Sequence, residues 1–254
     1  MIAALAIGAV IGVLLGLLGG GGSLLAVPAL VYGLRIPLAQ AVPMSLLVVG
    51  VAALAGSVGR IRDGRVNWRV AAMFALTGLP AAFAGSAVNR LLPAALTLGG
   101  FAVLMVVAGV RMLIRSQRTG TACRTGATVD WRRCASRAVP AGLAVGFLTG
   151  LFGVGGGFLI IPALVLLLGL DMATAIGTSL VIVVANSGSG VLAYLGALAP
   201  DWRITAAFAG AAIAGALLAG RFGATVDTER LRTGFAYLIF AVAAFVLTEV
   251  LFLP

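Results

Sequence analysis

Histidine and lysine are missing from this chain of 254 residues, and charged residues make up only 9% of it. Without histidine the chain cannot build a Ser-His catalytic pair or a His-rich metal site, so we expect no enzyme, no metal and no other cofactor. Soluble domains contain about 25% charged residues, so the low charge argues against a soluble fold. All 17 basic residues are arginines at the ends of apolar runs. They therefore indicate control of membrane topology rather than nucleic-acid binding.

Acidic residues and cysteines are also scarce. The seven acidic residues lie at or near the ends of apolar segments, whereas proton pumps carry acidic or histidine side chains in mid-span. No proton relay is therefore expected. The two cysteines, Cys123 and Cys134, lie in the Arg-rich polar stretch 116–137. Because such a stretch is expected in the cytoplasm, both thiols should stay reduced.

What the chain has in abundance is apolar sequence. Hydrophobic residues make up 62% of it and the mean hydropathy is +1.19. A helical span needs about 20 apolar residues, and most of the charge-free runs reach or approach that length. These runs do not alternate polar and apolar residues as barrel strands do. The sequence therefore predicts an all-α polytopic membrane protein with repeats at 1–115 and 138–254, joined by a linker at 116–137.

The two halves repeat each other. They align without gaps from Gly8 and Gly142 to Arg69 and Arg203, at a constant offset of 134 residues. Each half contains one long segment interrupted by glycines, at 19–22 and 153–157, followed by three ordinary spans. Two related halves with broken helices are typical of transporters.

The interrupted segments are too long for one upright span and too short for two. A helix over 1–34 would be about 51 Å long, against a hydrocarbon core of about 30 Å. Each glycine weakens a helix by about 1 kcal/mol relative to alanine, so the helix should open at the glycines. Either a kinked crossing or a V-shaped re-entrant pair would fit.

The arginine distribution favours the re-entrant pair. Six crossings would leave three arginines on one side, Arg35, Arg90 and Arg203, and the other fourteen of the 17 opposite; eight crossings would divide them twelve to five. The positive-inside rule favours the sharper division. The sequence thus predicts an inverted repeat.

The glycine runs are the candidate binding site. A half-helix that begins at each break exposes free amides and about half a positive charge, and glycine lets an anion approach the backbone. Prolines one turn later keep each half-helix kinked, and nearby hydroxyl and amide side chains add neutral hydrogen bonds. The predicted substrate-binding residues are Gly20, Gly21, Gly22, Ser23, Pro28, Ser45, Gly155, Gly156, Gly157, Phe158, Pro162, Thr178, Ser179 and Asn186. For the glycines spaced four apart at Gly8 to Gly16 and Gly142 to Gly150, helix packing is the preferred interpretation.

These motifs resemble the TauE/SafE sulfite-exporter family of membrane permeases. The matching stretches are GVGGGFLIIPAL at 153–164, AIGTSL at 175–180 and DWR at 201–203, with first-half copies at 19–30, 45–46 and 67–69. The resemblance implies an inner-membrane transporter of sulfite or an organosulfonate such as sulfoacetate, working as an exporter. Where the second half has Gly177-Thr178-Ser179, the first has Pro43-Met44-Ser45, so Thr178 and Ser179 are the stronger candidates.

Three alternatives stay open at this point. The chain could be a channel-like anion pore, a carrier of a cation or another organic solute, or a membrane assembly factor that transports nothing. The expected partners are a small anion and the lipid bilayer, with a homodimer allowed and no nucleic acid.

Overall fold

The computed structural model describes residues 2–89, 91–114, 131–152, 157–193, 202–223 and 228–252. Within these ranges the chain is helical and contains no strand. The helices are α1 (Ile2–Leu18), α2 (Gly21–Pro28), α3 (Leu38–Arg62), α4 (Trp68–Asn89), α5 (Ala94–Ile114), α6 (Trp131–Phe152), α7 (Gly157–Leu166), α8 (Met172–Ala193), α9 (Trp202–Gly223) and α10 (Thr228–Phe252). Five of them, α3, α4, α6, α8 and α9, are long and apolar enough to cross a membrane. The predicted all-α multi-pass membrane fold is confirmed.

The first interrupted segment breaks where its glycines begin. Helix α1 ends at Leu18 and α2 starts at Gly21, and Gly19 between them has a φ of +69°. That left-handed conformation suits glycine because it carries no Cβ. A π-helical turn, Ala29–Gly33, follows Pro28 at the end of α2. In the second half α6 ends at Phe152 and α7 starts at Gly157, and residues 153–156 lie outside the described ranges.

Helix α2 folds back along α1. A Cβ on Gly22 would lie 2.5 Å from the carbonyl oxygen of Ile11, and one on Gly33 would lie 2.7 Å from Cδ1 of Ile7. Later residues of α2 and its π-helical turn therefore meet earlier residues of α1, as in an antiparallel hairpin. Of the two predicted arrangements, the first half adopts the V shape.

The halves are interlocked through two equivalent helix pairs, α1 with α9 and α4 with α6, which form the most extensive contacts in the described structure. Gly12 of α1 approaches the carbonyl group of Ala212, and Gly146 of α6 approaches that of Gly78. The repeat aligns Gly12 with Gly146 and Gly78 with Ala212, so this is one contact made twice. The predicted packing role of these glycines is seen here, because any side chain would hold the helices apart.

Helices α3 and α8, which the repeat also aligns, pack against each other in opposite directions. Leu46 near the start of α3 touches Gly190 near the end of α8, while Gly56 farther along α3 touches Leu180. The contacts again exchange under the repeat. The pair is therefore antiparallel and lies across the pseudo-two-fold axis that relates the halves.

Helix α6 begins within the stretch expected to be linker. Residues 131–137 belong to it, and residues 115–130, with Cys123, lie outside the described ranges. Cys134 is fully buried in the core and is disulfide-bonded. The expectation of a reduced thiol is therefore wrong for Cys134, because α6 carries that residue into the core, where reductants have poor access.

Candidate functional site

Helices α2 and α7 begin side by side at the centre of the fold. A Cβ on Gly157 would lie 2.7 Å from Oγ of Ser23 and 3.0 Å from the carbonyl oxygen of Gly20. Gly20 in turn approaches the carbonyl group of Gly157. Glycine at both positions therefore lets the two half-helices start in contact, and three of the predicted binding residues come together here.

The start of α2 leaves backbone amides without intrahelical partners, as the first turn of any helix does. Gly20 is its N-cap and makes no side-chain capping bond. The Ser23 hydroxyl, at 2.7 Å, and the Ser23 amide, at 3.3 Å, both donate to the carbonyl oxygen of Gly20. Gly21 and Gly22 are buried behind this turn. The positive end of α2 is thus enclosed by protein.

Helix α8 is hydrogen-bonded to the break between α1 and α2. The Ser179 hydroxyl lies 3.0 Å from the carbonyl oxygen of Gly19 and 2.9 Å from that of Ile176. Oγ1 of Thr178 accepts the backbone N–H of Asn67 at 3.0 Å. Both side chains are fully buried. Ser179 thereby joins the break to α8, and Thr178 joins α8 to the loop that precedes α4.

The other predicted residues are dispersed. Ser45 donates to the carbonyl oxygen of Val42 in its own helix at 2.7 Å. Phe158 packs edge-on against Phe101 at 5.4 Å between ring centroids, and Pro162 is buried in α7. Pro28 lines an apolar pocket between α1 and α2. Gly155 and Gly156 lie outside the described residues.

Asn186 lines a cavity of about 450 Å³ between α4, α6 and α8. Ile160, one helical turn after Gly157, forms part of its wall, so the cavity extends close to the start of α7. Oδ1 of Asn186 is buried and has no hydrogen-bond partner in the described part of the chain. The remaining polar side chains of the wall are those of Ser86, Thr149, Ser187 and Ser189. This wall is uncharged and offers hydrogen bonds from only a few positions.

The cavity has no polar counterpart in the first half. The repeat aligns Asn186 with Ala52, Ser187 with Ala53 and Thr149 with Leu15, and the first-half residues of all three pairs are buried in the core. Helix α3 packs extensively on α9, whereas the cavity lies between the equivalent helices α8 and α4. The fold is therefore open on one side of the pseudo-two-fold axis and closed on the other.

Neither Thr149 nor Ser187 is among the predicted substrate-binding residues. A usable signal exists, because Thr149 aligns with a leucine and Ser187 with an alanine of an otherwise similar repeat. Polar residues that only one half has mark where a symmetric scaffold departs from symmetry. Read alone, a threonine in a membrane helix is as well explained by a bond to its own backbone.

Comparison with known proteins agrees with the sequence motifs. The profile of the family described as "Sulfite exporter TauE/SafE" matches residues 4–246. A "Probable membrane transporter protein" of Xylella fastidiosa (strain 9a5c) is 36% identical over 245 residues, covering 94% of this chain and 92% of the relative. "Probable membrane transporter protein YunE" of Bacillus subtilis (strain 168) is 25% identical over 241 residues, covering 88% and 87%. No solved structure matches the chain.

Proposed function

Because the chain belongs to the sulfite exporter TauE/SafE family of membrane transporters, we propose that it carries small anions, sulfite or an organosulfonate such as sulfoacetate, out of the cell. Sulfite and the outward direction follow from the family's description as a sulfite exporter, and the organosulfonates are the alternative that the motif resemblance implies. The observation that supports an anion is the uncharged cavity, whose largely apolar wall carries a few hydroxyl and amide groups and reaches α7 one turn after its start at Gly157.

The chemistry of the cavity suits a small oxyanion. Ligand pockets usually measure about 300–1,000 Å³, so 450 Å³ is enough for a compact solute. The hydroxyls of Thr149 and Ser187 and the Nδ2 amide group of Asn186 are the donors for sulfur-bound oxygens, since Ser86 and Ser189 already donate to carbonyl oxygens of their own helices. The positive end of α7, one turn from the wall, supplies the electrostatic attraction. With no charged side chain in the wall, the ion is held loosely enough to leave again.

The proposed mechanism is alternating access between the two halves. Antiparallel packing of α3 on α8 places the pseudo-two-fold axis across these helices. If both span the bilayer, the axis lies in the membrane plane and the repeat is inverted. Closing the α4–α8 cavity while parting α3 from α9 would move the opening to the other side of the membrane. The closed α3–α9 side favours a carrier over a continuous pore.

Flux into proteoliposomes tests this proposal. The reconstituted chain should take up sulfite and sulfoacetate with saturation, and should ignore a neutral solute of similar size. Asn186→Leu should lower the transport efficiency by about tenfold, the effect of losing one hydrogen bond to a charged group.

The matched control is Ser57→Ala. Ser57 of α3 is buried, with 1% of its surface exposed, and its hydroxyl donates to the carbonyl oxygen of Leu54 at 2.7 Å, outside the cavity. This variant should transport normally. Equal flux by wild type and Asn186→Leu would contradict the cavity's role, and flux of neutral solutes or cations alone would contradict anion transport.

A further inference from the structure

Arg60 is buried although it carries a charge. It lies in the last turn of α3 and is only 2% exposed, whereas Arg62 in the same turn is exposed. The sequence assigns both arginines to topology control, which requires only that they face water or headgroups. Burial of one of them needs a different explanation.

Two of the guanidinium nitrogens of Arg60, Nε and Nη2, are buried and have no hydrogen-bond partner in the described part of the chain. Asp63, three residues later, is exposed and makes no hydrogen bond to these two nitrogens, although its carboxylate attracts the guanidinium at longer range. The Nε and Nη2 hydrogens point from the same edge of the guanidinium. That edge binds two oxygens of one carboxylate, sulfonate or phosphate side by side.

Two buried guanidinium nitrogens without an acceptor are strongly unfavourable, so this edge of Arg60 favours binding of an anion. Arg65 does not provide one: its backbone N–H donates to the carbonyl oxygen of Arg60 at 2.9 Å, and its own side chain is also cationic. Two cations at the end of α3 increase the demand for negative charge.

Arg60 also lies close to the first break. A Cβ on Gly177 of α8 would lie 3.2 Å from Cβ of Arg60, and one on Gly19 would lie 2.9 Å from Cα of Ile176. The 176–179 turn of α8 therefore touches Arg60 on one face and the break on another. An anion at Arg60 would be one helix width from the half-helix ends.

We propose that the Nε/Nη2 edge of Arg60 binds a small oxyanion with at least two free oxygens, as a cationic site separate from the neutral cavity. That this anion is the transported one rests on the proposed function; the existence of the site does not. A lipid phosphate offers the same oxygens, but the near-complete burial of Arg60 within the protein favours a free ion.

Anion-dependent stability of the full chain in a neutral detergent tests the site. Thermal unfolding is followed while sulfite, sulfate or chloride is added, since a ligand that binds only the folded state raises the midpoint by an amount that grows with the logarithm of its concentration relative to its Kd. Sulfite and sulfate should stabilise the wild type and chloride should not. Arg60→Gln should weaken the apparent affinity by at least about tenfold, because both charge and fork are lost.

Two further variants separate binding from structure. Arg60→Lys keeps the charge but lacks the fork, and should fall between wild type and Arg60→Gln. Arg62→Gln should bind within roughly twofold of wild type, since its side chain is exposed. If Arg60→Gln does not fold, the wild-type titration and Arg60→Lys still decide the question.

The outcomes are distinct. Equal stabilisation of wild type and Arg60→Gln, or none of the wild type, would overturn the proposal. If phosphatidylglycerol raises the midpoint of thermal unfolding in a way that depends on Arg60, and no free anion does so, the assignment to a free ion is overturned. Anion binding at Arg60 without sulfite flux would instead remove the proposed transport function and leave the site standing.

Discussion

The sharpest structural prediction concerns the contact that the repeat makes twice. In Gly12→Ala the new Cβ would lie 2.7 Å from the carbonyl carbon of Ala212, and in Gly146→Ala it would lie 2.7 Å from that of Gly78. Carbon atoms are best separated by about 3.5–4.0 Å, and the carbonyl oxygens lie closer still, so each helix pair must part by at least about 0.8 Å. Helices in lipid associate through such close packing, without a hydrophobic force to compensate.

The expected cost follows from these distances. Overpacking of this kind costs about 1–3 kcal/mol, and it outweighs the gain of about 1 kcal/mol that alanine brings to a helix. Both variants should therefore lower the free energy of unfolding, and by similar amounts because their surroundings are equivalent. Gly210→Ala in α9 is the matched control: nothing lies within 4 Å of its Cβ, so it should be neutral or stabilising.

Equilibrium unfolding in mixed micelles, with increasing denaturing detergent, measures all three variants on one scale. If Gly12→Ala and Gly146→Ala behave like Gly210→Ala, the close approach of these helices is refuted. If only one of them is destabilised, the two interfaces are not equivalent and the pseudo-two-fold relation fails there.

Three other predictions concern the break and the cavity. Gly19→Ala should cost at least about 1–2 kcal/mol of stability, since alanine is strained at a φ of +69° and its Cβ would also lie 2.9 Å from Cα of Ile176; an unchanged unfolding midpoint would contradict the left-handed turn and its contact with α8. Ser179→Ala should cost about 1 kcal/mol, the net value of one buried hydrogen bond, and should lower sulfite flux in vesicles; full retention of both would show that its link to Gly19 is dispensable. In a chain without native cysteines, Asn186→Cys should react with a small water-soluble thiol reagent at least about tenfold faster than Ala52→Cys, because only the former lines an open cavity; equal rates would contradict the one-sided opening.

Much of the fold could be predicted because its signals are local. Apolar runs predict spans at 38–59, 67–90, 172–197 and 202–224, which match α3, α4, α8 and α9 to within four residues. Gly19 marks the end of α1 within a residue. The V shape of the first half follows from arginine counting, although composition alone allows a kinked helix equally well. The start of α6 at Trp131 was not foreseen, since three arginines in its first turns look like linker.

The site was harder to predict because it depends on contacts between distant segments. The contact between Gly20, Ser23 and Gly157 could be expected from the repeat. All three lie at the start of a half-helix, next to the glycine break near the middle of an interrupted segment. The burial of Arg60 could not, because the sequence shows only an arginine at a helix end, and its surroundings come from α8. The cavity wall combines residues of five helices from both halves, so no single stretch reveals it.

The exchange of partners between the halves means that neither is a self-contained folding unit. Helix α1 packs on α9, and α6 packs on α4. A fragment ending at residue 115 would therefore expose the glycines of α1 to lipid acyl chains instead of to the carbonyl groups of α9. Splitting the gene at the arginine-rich stretch should therefore yield two products that are degraded when made singly and persist when made together.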